Sequence, residues 1–204
     1  MRHAHSIARS GRLIAAVLAA ILPSLAMAHA GHDHTAGFMA GLTHPFSGVD
    51  HMLAMVAVGL LAGRLGGAAL WQVPTSFVAM MACGTMLGMA HIPLPIVETG
   101  IAISIVVFGA LLASSRPLTV ATTTALVACF ALFHGHAHGT EAAADISGTA
   151  YAAGLMWASA LLHLGGVLIA VMLMRVLHAQ GEKVLQIGGG AIAAAGVAVF
   201  AGIL

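Results

Sequence analysis

Residues 148–175 read GTAYAAGLMWASALLHLGGVLIAVMLMR, with no Asp, Glu, Lys or Arg before Arg175. About 20 such residues suffice to cross the hydrocarbon core of a bilayer as a helix. Working outward, comparable apolar stretches lie at 38–63, 68–90, 95–113, 118–137 and 184–203. The reading is all-α: a polytopic membrane protein, a bundle of six transmembrane helices. Composition agrees, since 60% of the 204 residues are hydrophobic, 6% are charged and mean hydropathy is +1.03. A water-facing surface needs far more charge, near 25% in soluble domains. Seven Lys and Arg, spread singly, form no basic stripe and exclude a nucleic-acid partner. No Walker-type Gly-rich loop is present, which excludes ATP hydrolysis by this chain.

The first 28 residues have the organisation of a cleaved signal peptide. Arg2, Arg9 and Arg12 precede the apolar run Leu13–Leu22, and Ala26-Met27-Ala28 supplies the small residues at a cleavage site. Cleavage after Ala28 leaves a His-rich periplasmic leader, 29–37, and a six-helix domain, 38–204; Ala28-His29-Ala30 offers a second site, after Ala30. With the leader outside, Arg64, Arg116, Arg175 and Lys183 all fall on the inner side, as the positive-inside rule requires. The expectation is a bacterial inner membrane protein with both mature termini in the periplasm. Gly84 and Gly88, Gly59 and Gly63, and Gly188–Gly190 suit close helix packing within the bundle. The Gly84/Gly88 pair also fits a homo-oligomer face.

Thirteen histidines stand out in a chain that otherwise avoids ionisable groups. On this topology most of them gather with the carboxylates on the outer side: His29, His32, Asp33 and His34 in the leader, and Asp145 in an outer loop. His44-Pro45-Phe46-Ser47-Gly48-Val49-Asp50-His51 opens the first span. On a continuous helix His44 and His51 share a face, although Pro45 can kink it. An ionised Asp50 within a span requires compensation. No intramembrane Lys or Arg supplies it, which leaves a bound cation as the natural counter-charge.

A second group is Phe133-His134-Gly135-His136-Ala137-His138-Gly139-Thr140-Glu141. His134 and His138, at i and i+4, point the same way on a helix, the spacing by which two histidines share one metal. Glu141 joins that stripe if the helix persists, whereas Gly139 can instead end it. His136 faces elsewhere, as on an entry path. Glu98, in the first turn after Pro95, is either a ligand or a carboxylate placed by the helix dipole. His91 is either a ligand or a helix-end cap. His163, alone at mid-span, is read first as a hydrogen-bonded core histidine, with a mid-membrane relay site on the inward passage the alternative. Cys83 and Cys129 are small hydrophobes, and the methionines flanking His51 and His91 keep Cu(I) as a rival metal.

The segment from His44 to His51, with Leu53-Ala54-Met55 and Val58-Gly59, resembles the first-span signature of the HupE/UreJ family. Phe133–Glu141 is similar to that family's second motif, and Val97-Glu98-Thr99-Gly100-Ile101-Ala102 to a weaker third. One departure is that Ala142, Ala143 and Ala144 stand where the family pattern carries a proline. The resemblance implies secondary uptake of Ni²⁺, or Co²⁺, for metalloenzyme maturation, with hydrogenase or urease machinery an indirect partner. By carry-over it implies functional roles for His44, Asp50, His51, His134, His138 and Glu141.

Imidazole and carboxylate donors suit Ni²⁺, Co²⁺ and Zn²⁺ alike. The expected activity is a permease for a divalent metal ion, not an enzyme, with no prosthetic group and the lipid bilayer as its surroundings. Two rivals are an intramembrane zinc hydrolase acting on a lipid amide and a non-conducting metal-binding accessory protein. The candidate metal site is His44, Asp50, His51, Glu98, His134, His138 and Glu141, with His91 and His136 beside it.

Overall fold

A computed structural model of the chain describes residues 34–116, 119–142 and 147–203. The expected signal peptide, His29, His32, Asp33 and Asp145 lie outside the described residues. Seven α-helices follow in order: α1 His34–Thr43, α2 Val49–Leu65, α3 Ala69–Met89, α4 Val97–Ala113, α5 Val120–Thr140, α6 Gly148–Leu177 and α7 Ala179–Phe200. No strand occurs among the described residues. Four helices, α3, α5, α6 and α7, are each long and apolar enough to cross a membrane. At 17 residues α4 is shorter. α1 begins at His34, inside the segment expected as leader.

The expected continuous first span is corrected. α1 and α2 meet at 82° and reach spanning length only as a bent pair. Pro45 has no N–H to extend α1, and the chain passes through a short 3-10 turn, His44–Phe46. The Ser47 hydroxyl and backbone N–H both donate to the His44 carbonyl, at 2.6 and 3.0 Å. Gly48 is extended (φ −112°, ψ 122°) and α2 starts behind it. His44 and His51 therefore sit on different elements and share no helix face.

Packing follows pairs: α3 against α5, α4 against α7, and α6 against both α1 and α2. Small residues set these contacts, as in any bundle where lipid removes the hydrophobic drive between helices. Gly84 and Gly88 of α3 face the backbone of Leu132, His136 and Gly139, while Gly135 and Gly139 of α5 face the carbonyls of Met81 and Thr85. A Cβ at any of the four meets backbone. Gly84 and Gly88 are thus spent inside the chain, on the α3–α5 crossing. Of the 188–190 run, only Gly189 packs, against α4. Large apolar side chains such as Trp71, Trp157, Leu161, Leu164 and Ile187 are exposed around the outside, far more apolar surface than a soluble monomer presents.

The two ends of the bundle differ in charge. At one end Arg64 donates to Glu182 and to the carbonyls of Leu111, Leu112 and Ser114, at 3.1, 3.0 and 2.7 Å. This ties the ends of α2 and α4 to the start of α7, and the guanidinium meets the negative end of the α4 dipole. The opposite end carries most of the described histidines; His178, between α6 and α7, stands at the Arg64 end, and His163 lies midway.

Candidate metal centre

The α5 sequence alternates two residue types on two faces. Gly135 and Gly139 face α3, and each follows a histidine by one position, about 100° round the helix. His138 is thereby turned towards α2 and the 44–48 turn, and His134 towards His51 of α2 with one side of its ring against Phe77 of α3. The helix continues through Gly139 to Thr140, because that glycine is used for packing against Thr85 and does not end the helix. The Glu141 N–H donates to the Ala137 carbonyl at 3.1 Å and closes the last turn.

The bend at Pro45 brings two more imidazoles to His138 from different directions. The His44 ring lies 4.9 Å from that of His138, and the His51 ring 4.3 Å from it. His51 is also 5.1 Å from His134. A rank of rings thus runs inward from half-exposed His44, through His138 and His51, to fully buried His134.

Hydrogen bonds fix which nitrogens remain free. Asp50 Oδ1 accepts from the His51 backbone N–H at 2.8 Å and from its Nδ1 at 3.0 Å. The proton on Nδ1 leaves the Nε2 lone pair free, and Nε2 is buried with no protein partner among the described residues. Ser104 on α4 gives its hydroxyl proton to the Ile101 carbonyl at 2.6 Å and accepts from His134 Nε2 at 2.8 Å. That leaves His134 Nδ1 unpartnered, as are both ring nitrogens of His138. A buried polar atom left unbonded costs about 1–3 kcal/mol, so several of them on adjoining rings form an arrangement that a cation relieves. Carboxylates and hydroxyls that orient imidazoles in this way are the usual support of metal-binding histidines.

Above these rings is an open cleft of ≈ 170 Å³ lined by His44, Ser47, Gly48, Asp50, His51, Glu98, His138 and Glu141. Among the described residues three carboxylates reach it and no Lys or Arg does. His44, His138 and Glu141 each offer a ligand atom, all within 4.8 Å of one another. Glu141 Oε2 accepts from His44 Nε2 at 2.8 Å. Asp50 and Glu98 lie in the first turns of α2 and α4, where the helix dipoles favour the ionised carboxylate.

Of the nine residues expected at the site, His44, Asp50, His51, Glu98, His138 and Glu141 line the cleft, and His134 lies directly beneath His51. Two are not brought in. His136 points to the α3–α4 connection, where its Nε2 donates to the Ile92 carbonyl at 2.8 Å. His91 is exposed at the end of α3 with φ 53°, and its N–H donates to the Gly88 carbonyl. Two residues at the site went unread in the sequence. Ser104, an isolated serine in an apolar span, carries no local signal. Tyr151, the chain's one tyrosine, stacks edge-on against His44 at 5.7 Å.

Comparison with known proteins bears on this geometry. The family model described as HupE / UreJ protein matches residues 16–199, which include every element lining the cleft. The chain belongs to the HupE/UreJ family. A curated member, Protein HupE from Rhizobium leguminosarum bv. viciae, is 45% identical over 190 residues, covering 93% of this chain and 97% of the relative. No solved structure matches. Among the residues of this HupE/UreJ chain, the cleft gathers the His44–His51 segment and the Phe133–Glu141 segment, which lie far apart in sequence, around one opening.

Proposed function

We propose that this chain is a secondary transporter that takes up a divalent transition-metal ion, Ni²⁺ or Co²⁺, for metalloenzyme maturation. The observation that carries the reading is the rank of adjoining imidazoles from α2 and α5, with unpartnered ring nitrogens, beneath a mouth ringed by three carboxylates. Carboxylates attract the dication and offset its charge, while neutral imidazoles replace part of its hydration shell. Conduction requires binding that is favourable enough to enter yet weak enough to leave. In this reading the bent α1–α2 pair and α4 also cross the bilayer, giving six crossings. The cleft faces the periplasm and the Arg64 end faces the cytoplasm, in an inner membrane.

Purified protein reconstituted in sealed vesicles tests it. The expected result is time-dependent entry of ⁶³Ni²⁺ with no lipid consumed, and its loss in His51→Ala. Tight binding without entry would instead make the protein a metal-holding accessory factor. Release of a hydrolysed lipid product would make it a zinc hydrolase.

A further inference from the structure

We propose that His163 is an inner station for the transported cation, divided from the outer histidines by the ring of Phe77. The inference rests on the transport reading above and extends it to the middle of the bundle.

His163 lies on α6, whose outer end carries Tyr151 against His44. Twelve residues beyond Tyr151, at about 1.5 Å per residue, place His163 roughly 18 Å further along the helix. It is 1% exposed, and neither ring nitrogen has a hydrogen-bond partner among the described residues. An imidazole kept in a core for packing alone ordinarily satisfies at least one nitrogen, and a phenyl ring would fill this volume without the desolvation cost.

The ring is placed on the line that the outer histidines begin. Phe77 of α3, fully buried, lies 5.6 Å from the His134 ring and 4.9 Å from the His163 ring, nearly perpendicular to the latter at 80°. From the mouth inward the order is therefore His44, His138, His51, His134, Phe77, His163. One helical turn towards the mouth from His163 and from Phe77 stand Ser159 and Met81, also buried; the Ser159 hydroxyl donates to the Leu155 carbonyl at 2.8 Å and lies 3.6 Å from the Met81 sulfur. Backbone contact holds the level fixed: Gly59 of α2 packs on the His163 carbonyl, and Gly166 packs on the Val56 carbonyl.

The donors differ in kind between the two stations. The outer one has carboxylates; the inner one offers the imidazole of His163, a neutral donor, with the Ser159 hydroxyl and the Met81 thioether one helical turn back towards the mouth. A dication held by neutral donors only is bound weakly, which suits a place of transit and not of capture. Borderline metals such as Ni²⁺ and Co²⁺ accept nitrogen and sulfur donors, whereas Mg²⁺ and Ca²⁺ demand oxygen.

The test uses the full chain, in sealed vesicles for Ni²⁺ uptake and in detergent for Co²⁺ absorption bands from the outer cleft. His163→Phe and His163→Gln should cut uptake at least tenfold while leaving Co²⁺ binding in the outer cleft within twofold of wild type. His163→Cys, which restores a donor, should recover at least a third of the uptake. Phe77→Leu, which removes the flat ring and no donor atom, should raise uptake at least twofold. Uptake within twofold of wild type in His163→Phe or His163→Gln overturns the inference, as does a cysteine variant no better than phenylalanine. If no His163 variant accumulates in the membrane, Phe77→Leu decides, and unchanged or slower uptake overturns it. Wild-type protein that binds Co²⁺ but moves no Ni²⁺ removes the transport reading and this one together; normal wild-type uptake with indifferent His163 variants removes this one alone.

Discussion

Asp50 grips His51 twice, accepting from its backbone N–H at 2.8 Å and from ring Nδ1 at 3.0 Å. One carboxylate oxygen thereby sets the tautomer, the ring orientation and the exposure of Nε2 to the space beneath the cleft. Asparagine at this position presents either an oxygen or an amide to Nδ1 and no longer enforces the choice. Loss of such a supporting carboxylate typically weakens metal binding about 10–100-fold. We expect that range for Asp50→Asn in a Co²⁺ titration of the detergent-solubilised protein, and near-complete loss for His51→Ala. An Asp50→Asn variant that binds like wild type contradicts the orienting role.

His138 and His136 are two residues apart and are expected to behave oppositely. His138→Ala removes a ring that touches both His44 and His51, and metal affinity should fall at least tenfold. His136→Ala removes a bond to the Ile92 carbonyl and leaves the cleft lining intact. Its cost is stability, about 1 kcal/mol for a typical hydrogen bond. Calorimetric binding and thermal unfolding on the same two preparations separate the effects; equal affinity losses are inconsistent with this geometry.

At the α3–α5 crossing, Gly135→Ala drives a methyl group into the Met81 carbonyl. The backbone cannot swing aside as a side chain does, so the helices must separate. Overpacking of this sort costs about 1–3 kcal/mol. The expected outcome is a lower unfolding midpoint together with weaker metal binding, because His134 moves with the helix. Gly188→Ala is the control: nothing lies within 4 Å of its added Cβ, and neither property should fall.

At the other end, Arg64 is nearly enclosed, and Glu182 is more exposed. Arg64→Ala strips one carboxylate and three carbonyls of their donor. A charged hydrogen bond contributes about 1.5–3 kcal/mol, and the partly exposed acid recovers some of it from water. We expect a net destabilisation of about 2 kcal/mol, with Glu182→Gln milder. Thermal unfolding checks the order; an Arg64→Ala protein as stable as wild type would refute the tether.

Helix content and the apolar stretches were legible in the sequence because the hydrocarbon core imposes one length and one hydrogen-bonding solution on any span. The bend at Pro45 was legible only as a kink. Whether a proline deflects a helix or parts it depends on what receives the second half, and here α2 packs on α6 while the 44–48 turn closes on itself. The same bend changed how the site is assembled. His44 and His51 approach His138 from two sides, where heptad spacing had put them on one face.

The i, i+4 histidines were legible, since that spacing has a single meaning on a helix. Their neighbour His136 was not separable from them by composition; only the position of Ile92 across the α3–α4 connection shows where it is spent. Ser104 was beyond reach, because its meaning lies in His134, 30 positions away. Glu98 stood between two readings, and the structure gives it both settings at once, a helix start and the cleft wall.

The interleaving of histidine and glycine along α5 has one further consequence, for what the gene can tolerate. Adding or deleting a single codon between His134 and Gly139 turns everything downstream by about 100°. Imidazoles would then be thrust against the neighbouring backbone, and bare glycines would face the opening. Upstream, Thr123, Val127 and Ala131 are buried and constrain the helix by volume, but this hexapeptide is also locked in phase.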